Sequence, residues 1–187
     1  MRIKENVNQV FKVMMDQPLV VFVGALIAMV VSAVTFGLIT LVMFTGLALV
    51  FIKAKKGEIP TFNDLFAYLG KVWPLVGLWL LMVLGIGAGL IVLIIPGILI
   101  MTLWIYAPFY LAFKDAGVMD SLKMSSRTVM AKGFVPHILM VLVLLLINLL
   151  GGQLIIGSII TFPLTVGFLV YLFQDYTETE APEKTEV

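Results

Sequence analysis

The residues that could do chemistry are few in this chain and lie far apart. It contains no cysteine and a single histidine, His137, which excludes disulfides and thiolate metal sites and leaves a poor set of metal ligands. No Ser–His–Asp arrangement, pair of catalytic carboxylates or phosphate-binding loop can be assembled from the remaining residues. We therefore expect a protein that is not an enzyme and carries no metal or cofactor. We read His137 as a hydrogen-bonding residue near the membrane interface rather than a proton relay.

A glycine-rich stretch, Gly85-Ile86-Gly87-Ala88-Gly89, is the segment that comes nearest to a nucleotide-binding loop. It lies deep in an apolar run without a preceding strand, and its spacing is not G-x-G-x-x-G. Gly85 and Gly89 instead form a small-xxx-small pattern, which predicts close packing between membrane helices. The nearby Pro96-Gly97 is a strong helix breaker and is predicted to end one helix and start the next.

The basic residues stand beside the apolar runs, where lipid headgroups would lie. We expect six of them to contact those headgroups, namely Lys53, Lys55, Lys56, Lys123, Arg127 and Lys132. Within the runs, the main polar groups are amides and hydroxyls, including Asn148 and Thr165. They could line a path for a solute, although such groups commonly bond to neighbouring membrane helices.

All 23 charged side chains lie outside three long runs, Gln17–Ile52, Val72–Phe113 and Phe134–Gln174. As continuous helices these runs would measure roughly 54 to 63 Å, whereas the hydrocarbon core of a bilayer is about 30 Å thick. Each run is therefore too long for one crossing and suits two. The 61% hydrophobic content and the 12% charged content agree with a membrane protein, and the formal charge of +1 argues against a nucleic-acid binder.

These runs predict an all-α, polytopic membrane protein with six transmembrane helices arranged as three hairpins. The predicted spans, 18–34, 38–53, 74–95, 98–113, 135–150 and 153–174, form one membrane domain over residues 1–176. The first stretch is expected to be a retained helix rather than a cleaved signal. Residues 177–187 are expected to form a disordered acidic tail. All twelve Lys and Arg residues fall on one side of this topology, which assigns both termini to the cytoplasmic side of the cell membrane.

Each hairpin is preceded by a short segment with apolar residues at helical spacing. The three segments are predicted to lie at the membrane interface as amphipathic helices, the second starting at a capping box formed by Thr61 and Asp64. Pro18, Pro74 and Pro136 mark the starts of the hairpins. The pattern indicates an internal repeat of three equivalent units, although any three hairpins with interfacial prolines would look alike.

The stretch from Gly57 to Tyr176 resembles the membrane domain associated with bacterial glycerophosphodiester phosphodiesterases and related stand-alone uncharacterised membrane proteins. The resemblance rests on Gly57-Glu58-x-Pro60-Thr61-Phe62-x-Asp64-Leu65-Phe66, Leu93-Ile94-Ile95-Pro96-Gly97-Ile98, Ala107-Pro108, Ser121-Leu122-Lys123-x-Ser125, Lys132-Gly133-Phe134, Gly157, Thr161-x-Pro163 and Tyr171. It implies six helices and, because it covers no catalytic domain, no phosphodiesterase activity.

The expected function is that of a non-catalytic integral membrane module that contacts lipids or organises a partner at the cytoplasmic face. A passive channel or transporter for a neutral or apolar solute is the alternative. Membrane lipids are the expected partners, a protein partner or a homo-oligomer stays open, and nucleic acid is not expected. The absence of Asp, Glu, Lys and Arg inside the runs argues against coupled transport.

Overall fold

The computed structural model describes residues 3–153 and 155–178, and all secondary structure in this part of the chain is helical. The elements are α1 (Ile3–Asp16), a π-helical turn (Leu19–Val23), α2 (Gly24–Val34), α3 (Thr40–Lys55), two 3₁₀ turns (Phe62–Phe66 and Leu69–Lys71), α4 (Val72–Val92), α5 (Ile94–Trp104), α6 (Ala107–Lys114), α7 (Val118–Lys132), α8 (Phe134–Gly152) and α9 (Ile155–Glu178). The predicted all-α class is confirmed for these residues.

Four helical stretches are long and apolar enough to cross a membrane, namely Phe62–Val92, Ile94–Lys114, Phe134–Gly152 and Gly157–Glu178. A fifth results if α1 and Leu19–Val34, which meet at a bend of 97°, count as one broken span. Helix α3 has 16 residues, a length of about 24 Å, which is less than the hydrocarbon thickness. The expected class of multi-pass membrane protein therefore agrees with four or five spanning stretches.

Helix α3 and the C-terminal half of α9 form the centre of the molecule. Most of α3 between Leu41 and Phe51 is buried, and so is every residue of α9 from Val166 to Phe173. Gly167 allows the two helices to approach, because a Cβ atom there would lie 2.7 Å from the Phe51 ring. The outer helices α4 and α8 instead expose large apolar side chains such as Leu84 and Leu149. Apolar surface on the outside and packing inside are what a lipid solvent requires.

The charged segments meet at one end of the helices. Three polar contacts join them: Asn6 Nδ2 donates to Asp175 Oδ2 at 2.9 Å, Lys55 Nζ donates to Gln174 Oε1 at 3.5 Å, and Lys71 pairs with Asp115. Through these contacts α1, the segment after α3, the segment after α6 and the end of α9 lie together. The turns after α2, α4 and α8, which carry no charge, connect the helices at their other ends.

The break between α4 and α5 lies earlier than predicted. The extended residue is Leu93 (φ −161°, ψ 145°), whereas Pro96 and Gly97 belong to the first turns of α5. Proline is tolerated there because the first N–H groups of a helix have no intrahelical acceptor. Gly97 instead allows α4 and α5 to pack closely, since a Cβ atom on Gly89 would lie 2.8 Å from the Cα atom of Gly97. Pro96 and Gly97, which were predicted to break the helix, therefore lie within α5, and Gly97 forms its contact with α4.

Two other predicted elements differ from the structure. Residues 62–71 form two 3₁₀ turns rather than a helix on the membrane surface, because Leu65 inserts between α2 and α3 and is fully buried. A Cβ atom on Gly46 would lie 2.0 Å from the Leu65 carbonyl oxygen, so only glycine admits this segment. At the C-terminus, α9 extends through Glu178, and the rest of the predicted tail lies outside the described residues.

The α8–α9 pair carries a polar contact inside its apolar length. Asn148 Nδ2 donates to the Leu144 carbonyl oxygen of its own helix at 2.8 Å and to Thr165 Oγ1 of α9 at 2.7 Å. Thr165 in turn donates to the Thr161 carbonyl oxygen at 2.9 Å. The amide therefore joins the two helices, in agreement with one of the two readings given to it above.

The contact between Gly89 and Gly97 predicts an effect of a single methyl group. In Gly89→Ala the new Cβ atom meets backbone rather than a flexible side chain, so α4 and α5 must separate. We expect a loss of about 1–3 kcal/mol in the free energy of unfolding, measured in detergent. The matched control is Gly87→Ala, where nothing lies within 4 Å and little change is expected. Equal stability of the two variants would contradict the tight crossing.

The bond between Asn148 and Thr165 predicts a second, smaller effect. Asn148→Ala removes the contact between α8 and α9 and should lower the free energy of unfolding by about 0.6 kcal/mol, the average for hydrogen bonds between membrane helices, and by no more than about 1.7 kcal/mol. The control is Gln153→Ala, because this exposed amide donates to Leu149 of its own helix. Thermal unfolding of both variants in the same detergent makes the comparison, and a larger loss in the control would overturn it.

Candidate functional site

An open apolar cleft of about 300 Å³ lies between the α4–α5 hairpin on one side and α8 and α9 on the other, with α3 at its base. Its lining residues come from six helices and from the α5–α6 link: Leu41, Phe44, Met82, Met101, Ile105, Pro108, Val141, Leu144, Leu145, Asn148, Thr165 and Leu169. Nearly all of these side chains are apolar. The volume is at the lower end of the range found for small-molecule sites.

The position of the cleft along the helices places it inside the apolar layer. Met82 lies near the middle of α4, and the residues from Val141 to Asn148 lie in the middle and second half of α8. The charged segments are at the opposite end from the α8–α9 turn that follows Asn148. Leu145, on the rim, is 42% exposed, so the cleft opens along the outer surface of α8. Such an opening faces the lipid chains when α8 crosses a bilayer.

A break in the span Ile94–Lys114 shapes one wall of the cleft. Helix α5 ends at Trp104 and α6 starts at Ala107, with Pro108 in its first turn. Ser125 of α7 satisfies backbone groups at this break, since its hydroxyl accepts the Tyr106 N–H at 3.1 Å and donates to the Leu103 carbonyl oxygen at 2.6 Å. Backbone groups freed within a membrane need such partners. Helix α7 thus holds Ile105 and Pro108 in position.

The polar groups of the cleft are engaged in helix packing. The Asn148 amide nitrogen and the Thr165 hydroxyl bond to each other and to the carbonyl groups of Leu144 and Thr161. The walls around them offer methyl, thioether and aromatic groups, with Met82 and Met101 both contributed by the α4–α5 hairpin. Methionine is flexible and polarizable, and adapts to ligands of irregular shape. The arrangement suits an apolar ligand with little need for hydrogen bonds.

The first three predicted headgroup residues, at the end of α3, differ in availability. The Lys53 ammonium pairs with Asp64 at 2.7 Å, which uses much of its bonding capacity inside the protein. Asp64 also accepts the Thr61 backbone N–H at 2.8 Å, the contact expected of the capping box. Lys55 lies 4.9 Å from the centre of the Tyr171 ring, and Lys56 is exposed. Lys55 and Lys56 are therefore better placed than Lys53 to meet a headgroup.

The other three predicted headgroup residues lie on or at the end of α7. Lys123 is 3.6 Å from Asp120 on the same helix, Arg127 is exposed, and Lys132 lies 5.7 Å from the centre of the Tyr176 ring. Lys123 and Arg127 line one surface depression of about 560 Å³ together with Lys114. The six basic residues thus form two groups, one after α3 and one on α7.

A buried aromatic cluster at the charged end is absent from the sequence predictions. Tyr106, His137 and Tyr176 contact one another with ring centres 5.6 to 5.9 Å apart. His137 is fully buried rather than interfacial, and its Nδ1 lies 2.6 Å from the Gly133 carbonyl oxygen. That contact requires a proton on Nδ1, which leaves the buried Nε2 as an acceptor without a protein donor. The contact between Tyr106 and His137 could not be predicted, because Tyr106 lies in an apolar run that has no helical periodicity.

Metal chemistry finds no support in the described residues. Within 3–153 and 155–178, no three His, Cys, Asp or Glu side chains come together as a metal site would require. The predicted packing glycines lie on the face of α4 that meets α5, because a Cβ atom on Gly85 would lie 2.4 Å from the Trp104 ring. Gly85 and Gly89 therefore contact the same neighbouring helix, the one that contributes Met101 to the cleft.

Comparison with models of protein families, with curated protein sequences and with solved structures finds no match for this chain. The chemistry of the cleft and of the charged end is therefore the basis for assigning a role.

Proposed function

We propose that this protein is a non-catalytic integral membrane module that binds lipid, with an acyl chain in the cleft between α4–α5 and α8–α9. The observation that carries the proposal is an open apolar cleft of about 300 Å³ whose rim residue Leu145 is exposed on the outer surface of α8. At this depth the surrounding solvent is hydrocarbon, and an empty apolar groove would lose dispersion contacts. A lipid chain is the solute present at the highest concentration to fill it.

The charged end supports the same assignment. Helix α1 has its polar face outward and its apolar residues Val10, Val13 and Met14 buried, and it leaves the axis of α2 at 97°. A helix in this position lies along the headgroup layer while the neighbouring helices cross it. The exposed Lys56 and Arg127 lie at the same end, where they would contact anionic headgroups.

The topology that we propose has six crossings and both termini in the cytoplasm of a cell. Leu19–Val34 and α3 would each cross with 16 residues, about 24 Å of helix. Both are short, and α3 is surrounded by protein, so the bilayer would thin locally around Leu19–Val34. The clustering of the charged segments at one end and the positive-inside rule support this orientation.

Filling the cleft tests the lipid assignment. Leu145→Trp places an indole ring at the rim of the cleft, whereas Leu146→Trp places the same ring on an exposed part of α8 that does not line it. Native mass spectrometry of protein released from membranes should show about one bound lipid fewer for Leu145→Trp. Thermal unfolding checks that both variants are folded. Equal lipid retention by the two folded variants would contradict the proposal. Solute-specific flux through wild-type liposomes would favour a channel instead.

Reporter fusions test the proposed topology. Fusions after Phe36, Leu93 and Gln153 should report the outside of the cell, since each follows a span that starts at the charged end. Fusions after Gly57 and Ala116 should report the inside. If α3, with its 16 residues, did not cross, the remaining five spans would place the N-terminus on the outside, and an N-terminal reporter distinguishes the two topologies. An inside result after Leu93 would contradict the α4–α5 hairpin.

A further inference from the structure

A second cavity, of about 470 Å³, lies at the charged end between α1, the segment after α3 and α9. It is lined by Gln9, Lys12, Val13, Asp16, Gln17, Ala54, Lys55, Gly57, Glu58, Ile59 and Tyr171. None of these residues lines the apolar cleft, and only α3 and α9 contribute to both. The two cavities are therefore separate sites.

The cavity offers two charges of each sign. Lys12 and Lys55 provide ammonium groups, and Asp16 and Glu58 provide carboxylates. In the part of the chain that the structure describes, the ion pairs within 4 Å involve none of these four side chains. A ligand that carries a positive and a negative group could thus satisfy both kinds of charge at once, which neither a simple anion nor a simple cation does.

The surroundings of the cavity place it at the membrane interface. Amphipathic α1 forms one wall, and Lys55 covers the face of Tyr171 with its ammonium 4.9 Å from the ring centre. Ile59, at the mouth, is 80% exposed although it is apolar. An exposed isoleucine beside charged side chains is expected where headgroups and lipid chains meet.

We propose that this cavity binds a phosphoethanolamine group, as carried by phosphatidylethanolamine. Lys12 and Lys55 contact the phosphate, while Asp16 or Glu58 pairs with the ammonium group. The inference deepens the proposed lipid-binding function and rests on it, but it concerns a different site and a stated headgroup.

Three common phospholipid headgroups distinguish the contribution of the ammonium group from that of the phosphate. Phosphatidylcholine has the same charges but no N–H, so it cannot donate a hydrogen bond to Asp16 or Glu58, and its bulkier ammonium keeps the carboxylates at a distance. Phosphatidylglycerol has no ammonium group and leaves Asp16 and Glu58 unpaired. Losing a charge-assisted hydrogen bond should weaken binding roughly tenfold, so we expect phosphatidylethanolamine to bind best by about that factor.

The experiment titrates full-length protein in detergent with each of the three lipids and measures bound lipid by native mass spectrometry. Asp16→Asn with Glu58→Gln should remove the preference for ethanolamine over choline. Glu5→Gln, an exposed site on α1 outside the cavity, is the control and should keep the preference. Lys12→Gln with Lys55→Gln should weaken binding of both lipids alike, whereas Lys4→Gln should not.

Soluble phosphoethanolamine as a competitor identifies the source of the group. Displacement of lipid at millimolar competitor, lost in the Asp16→Asn, Glu58→Gln variant, would show that the headgroup alone is sufficient. No displacement, with the lipid preference intact, would show that the lipid chains are also required. Equal binding of ethanolamine and choline lipids by the wild type, or an unchanged preference in the cavity variants, would overturn the inference.

The experiments distinguish a failure of the headgroup site from a failure of the proposed lipid binding in the cleft. Leu145→Trp fills the apolar cleft and should keep the ethanolamine preference, because the two cavities share no residue. If the cavity variants bind like the wild type while Leu145→Trp loses lipid, the headgroup site is wrong and the proposed function stands. If Leu145→Trp retains its lipid and the cavity variants lose the preference, the cleft assignment is wrong.

Discussion

The close packing of α3 is the constraint on which the rest of the structure depends. This helix has only 16 residues and is surrounded by α2, α4, α6, α9 and the segment after its own C-terminus. Such packing in lipid needs small residues where backbones approach, and Gly46 provides the closest approach, to the Leu65 carbonyl group. With Leu65 buried between α2 and α3, the segment after α3 brings Asp64 to Lys53 and leads into α4. A side chain at position 46 would therefore disturb both a helix contact and the start of the next span.

The all-helical class and the membrane class could be predicted from the sequence because they follow from charge and hydropathy alone. The three uncharged turns were also placed closely, since α2, α4 and α8 end at Val34, Val92 and Gly152. The errors came where tertiary packing outweighs local preference. Pro96 is a helix breaker by propensity, yet a first-turn proline costs little, so Leu93 takes the extended conformation. The burial of Leu65 could not be predicted because it depends on a glycine 19 positions earlier.

The two cavities were harder to predict from the sequence than the helices were. The apolar cleft is lined by side chains that look like ordinary membrane-helix residues, and its existence depends on the geometry of six helices and a link. The charged cavity combines α1, the segment after α3 and Tyr171 near the end of α9, which are far apart in the chain. Of its four charged residues, only Lys55 stood among the predicted headgroup contacts. The predicted headgroup contacts were all positively charged, so they did not include the acidic side chains of Asp16 and Glu58 in the same cavity.

The proposed headgroup site would account for the carboxylates that accompany the basic residues at one end of the helices. A surface that binds anionic lipid by attraction alone needs only Lys and Arg, and extra carboxylates would weaken it. Here two carboxylates share one cavity with two ammonium groups, and all four side chains are exposed. Exposed charges that do not pair with each other are hydrated by water, so the empty cavity carries little cost. A bound zwitterionic headgroup would replace this water and pair with charges of both signs.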